Sequence, residues 1–165
     1  MCRTVGSQTA AVTVTRAIPD MDFVAEQGNR LWGCKYGIVN GEPVNEIYAS
    51  KLGDFRNWNS FAGLSTDSYA ASRGSDGVFT GAAACLAGVI FFKEDCMERV
   101  YPSASGAHQI VTVRCPGVKK GCGGSAALVD GTLFYVGANG VYAFDGSMPV
   151  CVSQPLGSVR YESAV

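Results

Sequence analysis

The sequence predicts an all-β fold: antiparallel sheets stacked as the blades of a partial or incomplete β-propeller. Three observations predict it. A glycine-punctuated turn followed by a short apolar strand recurs as GNRLWGCK from Gly28, AGVIFFKED from Ala87 and DGTLFYVGANGVYAFDGS from Asp130. A unit reused along a chain signals a repeat architecture, and these units begin about 40 to 50 residues apart, the length of a four-stranded blade. No segment sustains an i, i+3, i+4 apolar stripe without glycine, which argues against helices. The blade-like units fall at approximately 11–61, 78–115 and 121–157, within a single all-β domain or propeller fragment spanning 1–165.

In chain order, AVTVTRAI (11–18) alternates and stops at Pro19-Asp20, which reads as a strand. Phe23 to Ala25 form the next strand, Gln27-Gly28-Asn29 a tight turn, and Arg30 to Tyr36 the returning strand; Gly28-Asn29 can take the positive φ that a primed turn needs. GIVNGEPVN (37–45) is a second turn region with Asn40-Gly41 at its tip, and EIYAS (46–50) is a strand. KLGDFRNWNSF (51–61) breaks the pattern. Its spaced aromatics Phe55, Trp58 and Phe61 fit either one helical turn or an aromatic plug under a loop. The Ser-, Gly-, Asp- and Ala-rich stretch 62–77 reads as a long surface loop, and loops of that length commonly carry function or contacts.

The second unit, from Val78, holds a strand, a turn at Ala87-Gly88 and the very apolar Val89 to Phe92. Four consecutive apolar residues predict burial on both faces, as in an inner strand between stacked sheets. MERVY (97–101) and QIVTVRC (109–115) alternate, with a turn over 102–107 between them. The third unit opens at GCGG (121–124). It holds three short strands with turns at Asp130-Gly131 and Asn139-Gly140, and Leu133, Tyr135 and Val141, Ala143 sit where they can pair across the second turn. MPVCVSQ (148–154) is a fourth strand, and the chain after Gly157 reads as the start of something further.

Composition bounds the function. At 47% hydrophobic and 16% charged, 165 residues suffice for a packed domain. A net charge of −1 excludes a domain-wide basic field, so direct sequence-specific nucleic-acid binding is not expected. No apolar run approaches the roughly 20 residues of a membrane-spanning helix, so no membrane role is expected, and the N-terminus lacks the pattern of a secretory signal, which predicts a cytoplasmic product. The seven cysteines are odd in number and irregularly spaced, without C-x-x-C. They read as small buried thiols on strands, kept reduced; Cys115 and Cys122 come nearest to a ligand pair, but one histidine in the chain gives zinc little support.

Candidate chemistry has plainer readings beside it. His108 stands next to a turn, with Ser103 and Ser105 near but no G-x-S-x-G elbow. Glu94, Asp95 and Glu98 form the densest carboxylate cluster and could serve glycoside hydrolysis, but a K-E-D after an apolar strand is ordinarily a polar exit from a core. Asp130-Gly131-Thr132 and Asp145-Gly146-Ser147 offer one carboxylate each, which turn chemistry explains without calcium. GCGG lacks the pattern of a phosphate-binding loop. Trp32, Trp58, Phe55 and Phe61 could form a stacking platform for sugars or bases, although such aromatics more often fill the space between sheets. No catalytic, cofactor-binding or metal-binding residue is assigned.

The order GNRLWG, NEIYASKLGDFRNWNSF, SDGVFTGAAACLAGVIFFKED, GCGGSAALVDGTLFYVGANGVYAFDGS resembles β-propeller structural proteins of tailed bacteriophages, of the tail or head-to-tail "packaged-DNA stabilisation" type. The matching positions are Asn29, Arg30, Trp32, Tyr48, Ser50, Asp54, Phe55, Trp58, Phe61, Lys93, Glu94, Gly140, Tyr142, Asp145 and Gly146, and the similarity spans roughly residues 21 to 155. Members of that family are much longer, and propellers typically close with four to eight blades, so the chain is a fragment, a short relative or a part completed by other chains. The resemblance implies a non-enzymatic structural or assembly protein of a virion, assembled in the host cytoplasm. Its expected partners are portal, tail or connector subunits, in a homo-oligomeric ring, through protein–protein contacts and without a cofactor. The alternatives are a ligand- or carbohydrate-binding propeller and a fragment of a quinoprotein- or glycosidase-like enzyme.

Overall fold

The computed structural model describes residues 18–85 and 88–156. They form three four-stranded antiparallel sheets, each a simple meander. The first contains β1 (Phe23–Gln27), β2 (Arg30–Val39), β3 (Glu42–Ala49) and β4 (Tyr69–Ser72). The second contains β5 (Gly81–Cys85), β6 (Gly88–Phe92), β7 (Cys96–Tyr101) and β8 (Gln109–Arg114). The third contains β9 (Ala127–Val129), β10 (Thr132–Gly137), β11 (Gly140–Phe144) and β12 (Val150–Cys151). The fold is therefore all-β and blade-like, as the repeated hairpin pattern predicts.

Three two-residue turns set the registers. Gly28-Asn29 (φ 61°, 57°), Asn40-Gly41 (φ 51°, 86°) and Asp130-Gly131 (φ 47°, 79°) all carry positive φ at both central positions. That is the primed-turn geometry whose twist matches the flanking strands. The β2–β3 hairpin is longer than the sequence suggests. Only Asn40-Gly41 turns, and pairing runs on to Val39↔Glu42.

Several elements depart from expectation. The first sheet ends at Ser72, not near residue 61, because β4 arises inside the stretch read as a loop. Tyr69 and Ala71 pair with Ala49 and Ile47; small residues suffice at a sheet edge, and their composition hid the alternation. Residues 51–61 form neither a helix nor a full aromatic plug: Trp58 is buried, whereas Phe55 and Phe61 are exposed. The second sheet starts at Gly81, three residues after Val78. The last β-turn is centred on Ala138-Asn139, since Gly140 pairs with Gly137. That one-residue shift pairs Leu133 with Phe144 and Tyr135 with Tyr142, while Val141 and Ala143 lie on the opposite face. The predicted strand over 11–18 falls, save for Ile18, outside the described residues, as do the chain after Leu156 and most of the turn around Ala87.

Two cores lie between the sheets. Trp32, Cys34, Ile47 and Ala49 of the first sheet pack with Phe79 and with Val89, Phe91 and Val100 of the second. Ile90, Phe92 and Met97 of the second sheet pack with Leu133, Tyr135, Tyr142 and Phe144 of the third. Strand side chains alternate between faces, so β6 sends odd-numbered residues to one neighbour and even-numbered residues to the other. All five of its residues are buried, which accounts for the unbroken apolar run Val89 to Phe92.

One cation is buried beside the first core and another, half-buried, borders the second. Lys93, fully buried, donates to the Ser75 carbonyl (2.8 Å) and Asn45 Oδ1 (3.3 Å) between the Tyr36 and Phe79 rings, and burial lowers its pKa. Arg99 lies over the Phe144 ring and donates to the Gly146 carbonyl (2.8 Å). Among the described residues no helix is long and apolar enough to cross a membrane.

Candidate interaction site

The connection from β3 to β4 is the longest irregular segment between named strands, and it is stitched at many points. Arg30, the first residue of β2, is buried. Its guanidinium donates to the carbonyls of Ser50 (3.1 Å), Asp67 and Ser65, clasping both ends of the connection. Burial lowers the Arg30 pKa, while the nearby Asp67 charge raises it. Asp67 accepts from Ser60 Oγ (2.7 Å) and the Leu64 amide (2.9 Å), and these bonds hold its carboxyl below the ordinary range.

The backbone adds further ties. The Leu52 amide donates to the Thr66 carbonyl (2.9 Å), that of Lys51 to Asn57 (2.8 Å), and that of Gly53 to Asn29 (2.9 Å). Ser68 Oγ donates to the Asn57 carbonyl (3.1 Å). Trp58 is buried beneath this frame. Among what the frame turns outward are four apolar side chains, Leu52 (42% exposed), Phe55 (58%), Phe61 (58%) and Leu64 (63%), beside the exposed charges of Asp54 and Arg56, the latter lying over the Phe55 ring. Two open depressions border it. One of about 320 Å³ is lined by Leu31, Phe55 and Glu26, and one of about 280 Å³ by Phe61, Leu64 and the 105–106 turn.

Replacing Arg30 by alanine orphans three carbonyls. Since hydrogen bonds from charged donors are worth about 1.5–3 kcal/mol each, the expected loss is at least about 2 kcal/mol. Amide exchange should rise over 51–67 with little change in the third sheet; uniform loosening would refute the clasp.

The structure separates most of the other candidate residues. Glu98 is fully buried, paired with Arg73 (2.8 Å) and accepting from Thr112 Oγ1 (3.0 Å). Glu94 instead accepts from the Lys120 amide and Asp95 pairs with Arg114, both exposed. The three carboxylates share no cleft. His108 is wedged edge-on against Trp32 and Tyr69, centroids 5.1 and 5.0 Å away, and its Nδ1 accepts from the Ser103 amide. Asp145 caps its own turn through Ser147, and Asp130 is a turn residue.

Of the aromatics considered as a stacking platform, Trp32 and Trp58 are buried and only Phe55 and Phe61 remain accessible. The six described cysteines are unpaired; burial pushes Cys96 and Cys115 up to about 11. Among the described residues no three His, Cys, Asp or Glu side chains group closely enough to hold a metal ion.

His108 offers a clean pH test because it is the only histidine in the chain. Burial, then the Arg30 charge, lowers its pKa below 6.5. The unfolded chain therefore takes up the proton first as pH falls. The stability that the neutral ring contributes is complete above pH 6.5 and lost as pH drops through the folded-state value. Wild type should lose more stability over that window than His108→Gln; parallel losses would contradict the half-buried neutral ring.

No protein-family model matches the chain, and no curated protein matches it. The fold defines the class of protein: an all-β chain of three blade-like four-stranded antiparallel sheets.

Sequence reading missed the clasp. Arg30 falls in the GNRLWG motif, but nothing local marks its partners, which lie 20 to 37 residues away. Asp67 was hidden in a segment whose composition reads as loop.

Proposed function

We propose that this chain is a non-enzymatic assembly protein that works through protein–protein contacts. Following the resemblance of its motifs, it is a structural component of a tailed-phage virion in the tail or head-to-tail region. One observation carries the first part: Leu52, Phe55, Phe61 and Leu64 project outward from a segment held rigid by Arg30 and Asp67. Apolar side chains that cluster on a surface mark interaction sites, and a frame ordered beforehand lowers the entropy cost of binding. Asn29, Arg30, Ser50, Phe55, Trp58 and Phe61, all among the resembling positions, build or present this segment. The partners this reading assigns are portal, tail or connector subunits.

A photo-crosslinker placed at position 55 or 61, in the cells that make the protein, tests it. Adducts to virion subunits are expected, with none from an equivalent probe at the exposed Glu42. Adducts only to unrelated enzymes, no adducts at either position, or turnover of a glycoside by the purified chain would overturn the proposal.

A further inference from the structure

The turn from β7 to β8 reaches out of the second sheet and seats itself on the first. Its histidine, His108, stands edge-on to Trp32 of β2 and Tyr69 of β4, ring centroids 5.1 and 5.0 Å away. Its Gly106 lies so close to the β3–β4 connection that a Cβ there would come within 2.9 Å of Ser65 Cα. The turn is wound around the ring. The Ser103 amide donates to His108 Nδ1 (3.0 Å), the Gly106 amide to the Ser103 carbonyl (3.1 Å) and the His108 amide to the Gly106 carbonyl (3.0 Å). Turn and connection together wall the depression of about 280 Å³ beside Phe61 and Leu64.

This seat suits only a neutral ring. Nδ1 accepts a hydrogen bond, so the neutral ring carries its proton on Nε2, and a second proton must enter at Nδ1, facing the Ser103 N–H. The bond that shapes the turn would then become a meeting of two donors. Among the described residues the charge that bears on the ring is Arg30, another cation, fixed in place by the carbonyls of Ser50, Ser65 and Asp67. The other elements offer the imidazolium no free acceptor. Trp32 of β2 brings a buried donor, Nε1, that has no partner, and Tyr69 of β4 brings its ring. Asp67 of the connection commits its carboxylate to Ser60 and the Leu64 amide, and the Ser103 and Ser105 hydroxyls bond to each other (2.8 Å). Burial and the Arg30 charge both lower the His108 pKa below 6.5.

We infer that His108 is an acid-operated latch: when its ring takes a second proton, the 103–108 turn lifts from Ser65 and opens the depression beside Phe61 and Leu64, while the sheets stay intact. The neutral ring holds the latch shut above pH 6.5, and the hold is lost as pH falls through the value of the closed state. Asp67, whose carboxyl is held below the ordinary range, keeps its bonds to Ser60 and Leu64 through that window, so the connection retains its own frame while the turn leaves. The opening itself does not depend on the proposed function; any effect on partner binding rests on that reading.

Nuclear magnetic resonance and amide exchange of the full chain, carried from about pH 7.5 to about pH 5 across the histidine range, test it. With one histidine in the chain the ring signal needs no assignment, and it should titrate below 6.5. Opening of 103–108 and 61–67, from exchange corrected for its intrinsic rate, should rise at least about threefold with the same midpoint. The ceiling at pH 5 is about thirtyfold, set by an open-state histidine of ordinary pKa. β6 and the third sheet should not change. His108→Asn, which keeps an acceptor oxygen near the place of Nδ1 but takes up no proton, should show no rise; should that variant fail to fold, the coincidence of the two wild-type midpoints decides alone. A ring titrating at or above 6.5, wild-type opening flat across the range, a rise shared by all three sheets, or the same rise in His108→Asn would overturn the inference. No partner enters these measurements, so they stand apart from crosslinking at 55 or 61.

Discussion

Alanine at Phe91 and alanine at Phe92 are each expected to cost about 3–5 kcal/mol, the usual range for truncating a buried aromatic, yet to loosen different halves of the molecule. Both side chains are fully buried. Phe91 faces the first sheet, where the Phe79 ring meets it edge-on at 6.1 Å. Phe92 faces the third, 4.9 Å from the Tyr135 ring. Amide exchange should therefore rise in β2 and β3 for Phe91→Ala, and in β10 and β11 for Phe92→Ala. Equal loosening of both ends by either variant would mean that β6 is not the shared wall between two cores.

Glu98→Ala is expected to be the next most damaging change. The Glu98 carboxylate is inaccessible to water, and its loss leaves the Arg73 guanidinium and the Thr112 hydroxyl without their acceptor. Breaking a buried pair by removing one member costs about 3–5 kcal/mol. Arg73 keeps some contact with solvent, which places the expected loss near 3 kcal/mol, the low end of that range. The partner test is a double-mutant cycle: Arg73→Met combined with Glu98→Met should recover much of what Glu98→Ala loses, because two apolar side chains need no compensation. A double variant as unstable as the sum of its single changes would show that the pair does not act as a unit.

The architecture was legible to the extent that it is local. Asn40-Gly41 and Asp130-Gly131 announce their hairpins because primed turns demand residues that tolerate positive φ. The run Val89 to Phe92 announces an inner strand because nothing polar could occupy a position covered on both sides. β4 was illegible because Tyr-Ala-Ala-Ser at an edge needs only backbone pairing and one inward ring. The 51–61 segment was half legible: its spaced aromatics stand out in the sequence, but which of them point outward depends on Trp58 sinking beneath the frame. Arg30 and Asp67, which make the segment rigid, act across sequence distances that no local pattern encodes. Glu98 looked like part of a carboxylate cluster because neighbours in sequence on a strand and its preceding turn diverge in space.

The all-apolar character of β6 has a consequence for how the chain finds its pairing. A strand with alternating polarity punishes a one-residue slip by turning every oily group to water. Val-Ile-Phe-Phe carries no such penalty, since either face would be equally greasy after a shift. The frame mark is Lys93. Only in the native alignment does its ammonium meet Asn45 and the Ser75 carbonyl; displaced by one residue, it would face the other core with neither partner. A single buried charge can thus act as the keying pin that tells two otherwise interchangeable surfaces apart.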